Sequence, residues 1–135
     1  MTATTVERLT QRRRADDFSF PVAAATKILA GTIVVLNSAG NAEPGATATG
    51  KAAVGMAKET VDNTGGAAGD AQVPVARGTF LFANSASTDE ITNADYGAEC
   101  YVVDNQTVAK THATNTRSVA GVVRGVEAAG VWVEF

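Results

Sequence analysis

The apolar residues of this chain come in short, valine-rich parcels, each cut off by glycine, asparagine or proline. Gly31-Thr32-Ile33-Val34-Val35-Leu36-Asn37 is a continuous apolar run with turn signals on both sides, which predicts a buried strand. Ser38-Ala39-Gly40-Asn41 supplies the turn after it. Val54-Gly55-Met56-Ala57-Lys58, extended to Val61, predicts a further strand. Gln72-Val73-Pro74-Val75-Ala76-Arg77 leads through Gly78 into Thr79-Phe80-Leu81-Phe82, read as one long strand with room for a bulge and a proline at its outer end. Glu99 to Val103 and Thr107 to Lys110 predict a hairpin around Asp104-Asn105, a pair that accepts a type I′ turn. Val119 to Glu127 and Val131 to Phe135 predict a last hairpin around Ala128-Ala129-Gly130. In its final strand Val131, Val133 and Phe135 share one face, and Trp132 and Glu134 share the other. Strands at short spacing between glycine-rich turns make a compact, all-β barrel or sandwich.

Only one short helix fits this pattern. Ser87-Thr88-Asp89-Glu90 matches the S-x-x-E capping box, and Thr92-Asn93-Ala94-Asp95 offers a weaker N-cap. Gly97 stops the helix, leaving room for about two turns. Asn63-Thr64-Gly65-Gly66-Ala67-Ala68-Gly69-Asp70 reads as a flexible surface loop.

The strands are thinly filled. The chain has 26 alanines, 17 valines and 17 threonines but only 5 phenylalanines, 2 tyrosines and 1 tryptophan, Trp132. Valine and threonine suit a pleated, half-buried surface. At about 25 cal/mol per Å² of buried apolar area, so slim a core is modest, and self-association is expected to add burial. Trp132 has two readings: an anchor between subunits, or the main plug of an alanine-rich core.

The residues before the body differ in character. Residues 1–26 are read as an extended N-terminal arm and residues 27–135 as the folded domain. Up to about Asp17 the arm is polar and charge-dense, and no apolar period persists long enough to bury a face. Phe18-Ser19-Phe20-Pro21-Val22 then alternates apolar with small or proline residues, as an edge strand or a lace would. Arg8, Arg12, Arg13 and Arg14 are its sharpest feature. Glu7, Asp16 and Asp17 offset three of those four charges, and no aromatic residue interleaves with the arginines to stack on bases. A protein surface rich in carboxylates therefore fits the arm better than nucleic acid does.

Whole classes of function find little support. A net charge of −3 and a pI near 5.0 argue against coating nucleic acid. The single cysteine, Cys100, excludes an internal disulfide and a cysteine-rich zinc site. No stretch approaches the ~20 apolar residues of a membrane-spanning helix. Met1–Thr10 lacks the apolar core of a secretory signal, so a soluble, reducing compartment is expected where the protein is made. His112, the only histidine, lies in a threonine-rich loop and is read as solvent-exposed; Cys100 is read as a small core residue. The adjacent carboxylates Asp16-Asp17 and Asp89-Glu90 fall in the arm and at a helix start, and neither pair is presented across a predicted cleft. The glycines after Asn63 lack the helix and Lys-Ser/Thr pair of a phosphate loop. No catalytic residue, metal or cofactor is expected.

Five motifs in order carry a resemblance. Ala30-Gly31-Thr32-Ile33-Val34-Val35-Leu36 opens the body, and Val54-Gly55-Met56-Ala57 follows. Arg77-Gly78-Thr79-Phe80 comes next, then Gly97 through Tyr101-Val102-Val103-Asp104. Gly121-Val122-Val123 with Val131-Trp132-Val133-Glu134-Phe135 closes the series. This order, from Ala30 to the C-terminus, resembles the tailed-phage capsid decoration, or cement, family. The arm before Phe18 and the loop Asn63–Asp70 go beyond the minimal pattern. The resemblance implies a β-barrel-like decoration domain without enzymatic activity, made in the host cytoplasm and mounted on the outer surface of the virion. It would bind across neighbouring major capsid subunits and lock the expanded head, as a homo-oligomer, usually a trimer and in some relatives a dimer. On that reading Arg8, Arg12, Arg13 and Arg14 lie along the shell. Phe18 and Phe20 fill apolar pockets or add a strand to a capsid sheet, and no nucleic acid or membrane takes part. Two other readings stay open: a β-rich virion fibre or host-attachment module, and a nucleic-acid binder working through the arm.

Overall fold

The structure, a computed structural model, describes residues 1–135. It is all-β. The strands are β1 (Asp17–Pro21), β2 (Thr26–Ile28), β3 (Ile33–Leu36), β4 (Ala42–Pro44), β5 (Ala52–Ala57) and β6 (Val61–Asn63). They continue with β7 (Gln72–Ala76), β8 (Thr79–Asn84), β9 (Glu99–Val102), β10 (Thr107–Ala109), β11 (Val119–Glu127) and β12 (Gly130–Glu134). An open five-stranded sheet has the order β1-β7-β5-β3-β4, and a closed barrel has the order β10-β8-β12-β11-β9. β2 and β6 form a separate two-stranded ribbon.

A ring with an odd number of strands cannot alternate direction all the way round. One parallel pair is unavoidable, and here it is β8 with β10, joined at Ala83 and Thr107. The barrel is filled by Phe82, Ile91, Cys100, Val102, Val108, Ala120, Val123, Val131 and Val133, and Ile33 and Val35 from β3 complete this core. On its other face β3 contributes Val34 to a second cluster with Val22, Ile28, Ala42, Ala57, Val73 and Val75. Both faces of β3 are therefore covered, which is why its sequence is continuously apolar rather than alternating. In β5, Gly55 pairs with Val34 while Ala53 pairs with Val35, so Val54 is an extra, bulged residue. Only glycine suits Gly55: its φ is +141°, and a Cβ there would stand 2.2 Å from the Ala76 carbonyl oxygen.

The differences from expectation have physical causes. The strand expected to run to Val61 is two strands, β5 in the open sheet and β6 paired with β2. The long strand through Gly78 is likewise divided. β7 lies in the open sheet and β8 in the barrel, so Gly78 is a corner between layers rather than a bulge. Pro74 sits within β7, opposite Ser19, and not at its end. The short helix resolves into two separate 3-10 turns, Ser87–Asp89 and Asn93–Asp95. Ser87 takes φ 59° and caps nothing, whereas Asp95 accepts a hydrogen bond from the Thr92 N–H at 2.8 Å. Neither Asp104 nor Asn105 adopts the positive φ of a type I′ turn. The loop there is longer and braced by the Asp104 carboxylate, which accepts from the Gln106 N–H at 2.9 Å.

Candidate functional site

The body begins earlier than Lys27. β1 pairs with β7 as an edge strand, and Val22 and Ala23 behind it are buried. What lies outside the body is Met1 to Asp16, exposed throughout and without a strand. Phe18 and Phe20, placed in the arm on sequence grounds, belong to the body's edge. They lie opposite Val75 and Val73, with ring centroids 6.3 Å apart, and both are half-buried. Phe20 also packs on the second core cluster.

Of the four arm arginines, one is engaged. The Arg13 guanidinium stands 4.5 Å above the Phe18 ring, a cation–π contact of about 0.5–1 kcal/mol at an exposed site. Arg13, Phe18, Phe20, Ala53, Val54 and Arg77 line an open groove of about 240 Å³. The arm's course is held at its base by the Arg77 N–H, which donates to the Asp16 carbonyl at 2.8 Å, and by the ion pair of Lys58 with Asp17 at 3.0 Å. Arg8, Arg12 and Arg14 are exposed and form no ion pair within the chain. The structure thus brings Arg13, Phe18 and Phe20 together and leaves the other three arginines facing solvent.

Trp132 is on the outer wall of the barrel, 37% exposed, beside Leu81 of β8 and Gly125 of β11. Its Nε1 donates to Glu127 at 3.2 Å. The plug reading is therefore set aside: Val131 and Val133, on the opposite face of the same strand, fill the interior. The indole has room because Gly125 presents no side chain; a Cβ there would meet the indole Cδ1 at 3.3 Å.

His112 is exposed, its ring nearly perpendicular to that of Tyr101 with centroids 5.7 Å apart, and its Nδ1 accepts from the Asn115 N–H at 2.9 Å. That bond closes a left-handed turn through Ala113, Thr114 and Asn115. Cys100 is fully buried, and burial pushes its thiol up to about 11, as suits a small core residue. Asp89 is held below the usual carboxylate range by hydrogen bonds from Thr111 and then Arg117.

Two arrangements escaped sequence reasoning. Asn63 is 5% exposed and donates from Nδ2 to the Ala23 and Ala67 carbonyls at 3.0 and 2.9 Å. The loop that follows is therefore pinned rather than loose: the Asp70 carboxylate accepts from the Ala67 N–H at 2.9 Å, and Gly69 N–H donates to Val22 at 2.9 Å. Asn37, Glu43 and Lys51 meet at one end of the open sheet. No sequence motif announces that cluster, because it depends on the pairing of three strands. Comparison with protein families, curated proteins and solved structures finds no match for this chain.

Proposed function

We propose that this chain is a capsid decoration, or cement, protein that binds across neighbouring major capsid subunits and stabilises the expanded phage head as a homo-oligomer, in the first instance a trimer. The observation that carries the reading is the exposed basic arm, Met1 to Asp16, leading out of the edge strand of a closed, thinly filled β body. An arm touching its own body only through Arg13 and Asp16, near its base, suits one whose remaining length is ordered on a neighbour. Packaged DNA strains a shell outward, so a cement subunit has to hold several capsid subunits at once. Linking several weak contacts raises overall attachment by about 10²–10⁴ over a single one. The order of motifs from Ala30 onward supports the same reading. Arg8, Arg12 and Arg14 supply the guanidiniums that meet capsid carboxylates, and Trp132 with Leu81 supplies the apolar contact between copies.

The test mixes the purified chain with expanded and unexpanded capsids and follows co-sedimentation. Attachment to expanded capsids is expected, and deletion of the residues before Phe18 is expected to weaken it at least tenfold. Equal attachment with and without the arm would sink the role given to it. No attachment to either capsid form would sink the whole reading. The outward aromatic surface at Trp132 and Leu81 favours one second reading, a virion fibre or host-attachment module; binding to host cells or glycans, abolished by Trp132→Ser, is its distinguishing result.

A further inference from the structure

Register at one end of the open sheet places three chemically complementary side chains together. Leu36 of β3 lies opposite Ala42 on one side and Ala52 on the other. The next position along is Asn37, with Lys51 beside it across the β5 side. Glu43 of β4 reaches both: Oε1 accepts from Asn37 Nδ2 at 2.8 Å, and Oε2 accepts from Lys51 Nζ at 2.6 Å. The Asn37 side-chain oxygen in turn accepts two backbone N–H groups, from Ala39 and Asn41, each at 3.0 Å. The cluster sits in the seam between sheet and barrel, with the Lys51 and Glu43 side chains only 24% and 28% exposed. Lys51 is fixed there by its own N–H, which donates to Ser118 Oγ at 3.1 Å; Ser118 is buried and donates to the Ala48 carbonyl at 2.7 Å.

A plain ion pair needs only Lys51 and Glu43. Here the same carboxylate also touches the nitrogen of a carboxamide whose oxygen is already held by two N–H donors. Those are the parts of an acyl transfer: an amine nucleophile, an acyl carbon with an oxyanion site, and one proton carrier in contact with both the attacking and the leaving nitrogen. We propose that Lys51 and Asn37 join in an intramolecular isopeptide cross-link, with Glu43 as the proton carrier. Glu43 takes a proton from Lys51 Nζ along their hydrogen bond, and the neutral amine adds to Asn37 Cγ. The new Nζ–Cγ bond leaves negative charge on Oδ1, facing the N–H groups of Ala39 and Asn41. Glu43 hands that proton to Nδ2 and takes the second proton from the now positively charged Nζ. The Cγ–Nδ2 bond breaks, ammonia departs, and Glu43 releases the remaining proton to solvent. One amide replaces another, so no oxidant or energy source is required.

At rest Lys51 and Glu43 form an ion pair. Desolvation pushes the Glu43 carboxyl up, but the hydrogen bonds from Lys51 and Asn37 together carry it below the usual carboxylate range. A proton has to leave this ion pair before the amine can add, so the step is slow. A bond made once per molecule needs no rapid turnover. The product braces the end of β3 to the start of β5 across the segment between them, independently of what the protein binds.

The experiment is the intact mass of the purified full-length chain, followed by protease digestion and peptide mass mapping. The expected result is a mass lower than the sequence requires by one ammonia, with a branched peptide joining Lys51 to Asn37. Glu43→Gln and Lys51→Arg are each expected to keep the full mass. Circular dichroism establishes that both are folded, and Lys51→Arg keeps the cation opposite Glu43. A wild-type chain that retains its full mass after prolonged incubation at neutral and mildly alkaline pH overturns the proposal. So does an ammonia loss that persists in Lys51→Arg, since it would mark cyclisation of Asn37 onto the Ser38 backbone nitrogen instead.

Discussion

Replacing Asn63 by alanine tests how the loop after β6 is pinned to the segment that follows β1. Asn63 uses both Nδ2 hydrogens, one on the Ala23 carbonyl and one on the Ala67 carbonyl. Around it the main chain closes on itself, with Gly66 N–H donating to the Asn63 carbonyl at 3.1 Å and Ala25 N–H donating to Gly66 at 3.1 Å. The fit is tight, because a Cβ at Gly66 would fall 2.0 Å from Asn63 Oδ1. Alanine removes two hydrogen bonds, each worth about 1 kcal/mol net. It also leaves the buried Ala23 carbonyl without its partner, a further cost of about 1–3 kcal/mol, while water can reach the more open Ala67 carbonyl. The expected loss is about 3–5 kcal/mol, a large share of the roughly 5–15 kcal/mol typical of a domain. Urea denaturation followed by fluorescence of Trp132 would report it as a lower midpoint with an unchanged slope. Asn63→Asp keeps the shape but sets a carboxylate against two carbonyl oxygens, and should cost at least as much at neutral pH. A loss below about 0.5 kcal/mol in both variants would refute the assignment of Asn63 as the pin of this loop.

Three further outcomes follow from single contacts. Cys100 in the folded chain should react with a thiol reagent far more slowly than in denaturant, since its thiol, pushed up to about 11, stays protonated. Because that value lies above the ordinary thiol value of 9.0, the unfolded chain loses its proton first as pH rises. Its contribution to stability is therefore intact below about 9 and lost between 9.0 and about 11; flat stability across that window, with Cys100→Ser as the reference, would contradict it. Trp132→Ser should change the unfolding free energy by less than about 1 kcal/mol while weakening self-association in sedimentation velocity. A loss above about 3 kcal/mol would mean that the indole is core after all. His112→Phe keeps an aromatic ring against Tyr101 but removes the acceptor for the Asn115 N–H, so amide exchange at Asn115 should accelerate with a global cost of about 1 kcal/mol. Unchanged exchange there would show that the left-handed turn stands without the imidazole.

The all-β class was legible because valine and threonine dominate short runs that glycine terminates, and nothing in tertiary structure overrides so consistent a pattern. The alternation in β12 was legible too: Val131 and Val133 against Trp132 and Glu134. What the alternation could not say is which face is inside. A chain this poor in aromatics makes Trp132 look like the natural plug, yet a five-stranded barrel is narrow enough for valines to fill, and the indole is left outside. Gly78 shows the same limit from another side. A glycine within a strand pattern marks either a bulge or a corner, and only the packing of two layers decides between them. At Asp104 and Asn105 local turn preference yielded to a distant contact, the Asn105 carbonyl accepting from the Ile33 N–H at 2.8 Å, which ties barrel to sheet. A loop held by such a bond follows the layer it reaches, not the hairpin it closes.

The candidate sites were legible in proportion to how local they are. Arg8 and Arg12 to Arg14 stand out because charge without apolar period is visible in any window of sequence, and in the structure the same segment carries no strand. Asn37, Glu43 and Lys51 are the opposite case. Each is an ordinary surface residue type, and they are separated along the chain by turns that any hairpin would have. Their meeting depends on β3 pairing with β4 on one side and β5 on the other in a single register. A slip of one residue in either pairing would send Lys51 or Glu43 to the opposite face of the sheet and dissolve the cluster. The bulge at Val54 already absorbs one extra residue of β5, so an alanine inserted between Lys51 and Ala52 should displace Lys51 relative to Asn37 while leaving the barrel strands intact. Loss of the Lys51–Glu43 contact in such a variant, with β8 to β12 unchanged by amide exchange, is the result that strand register requires; retention of the contact would mean that the cluster is held by its own side chains alone.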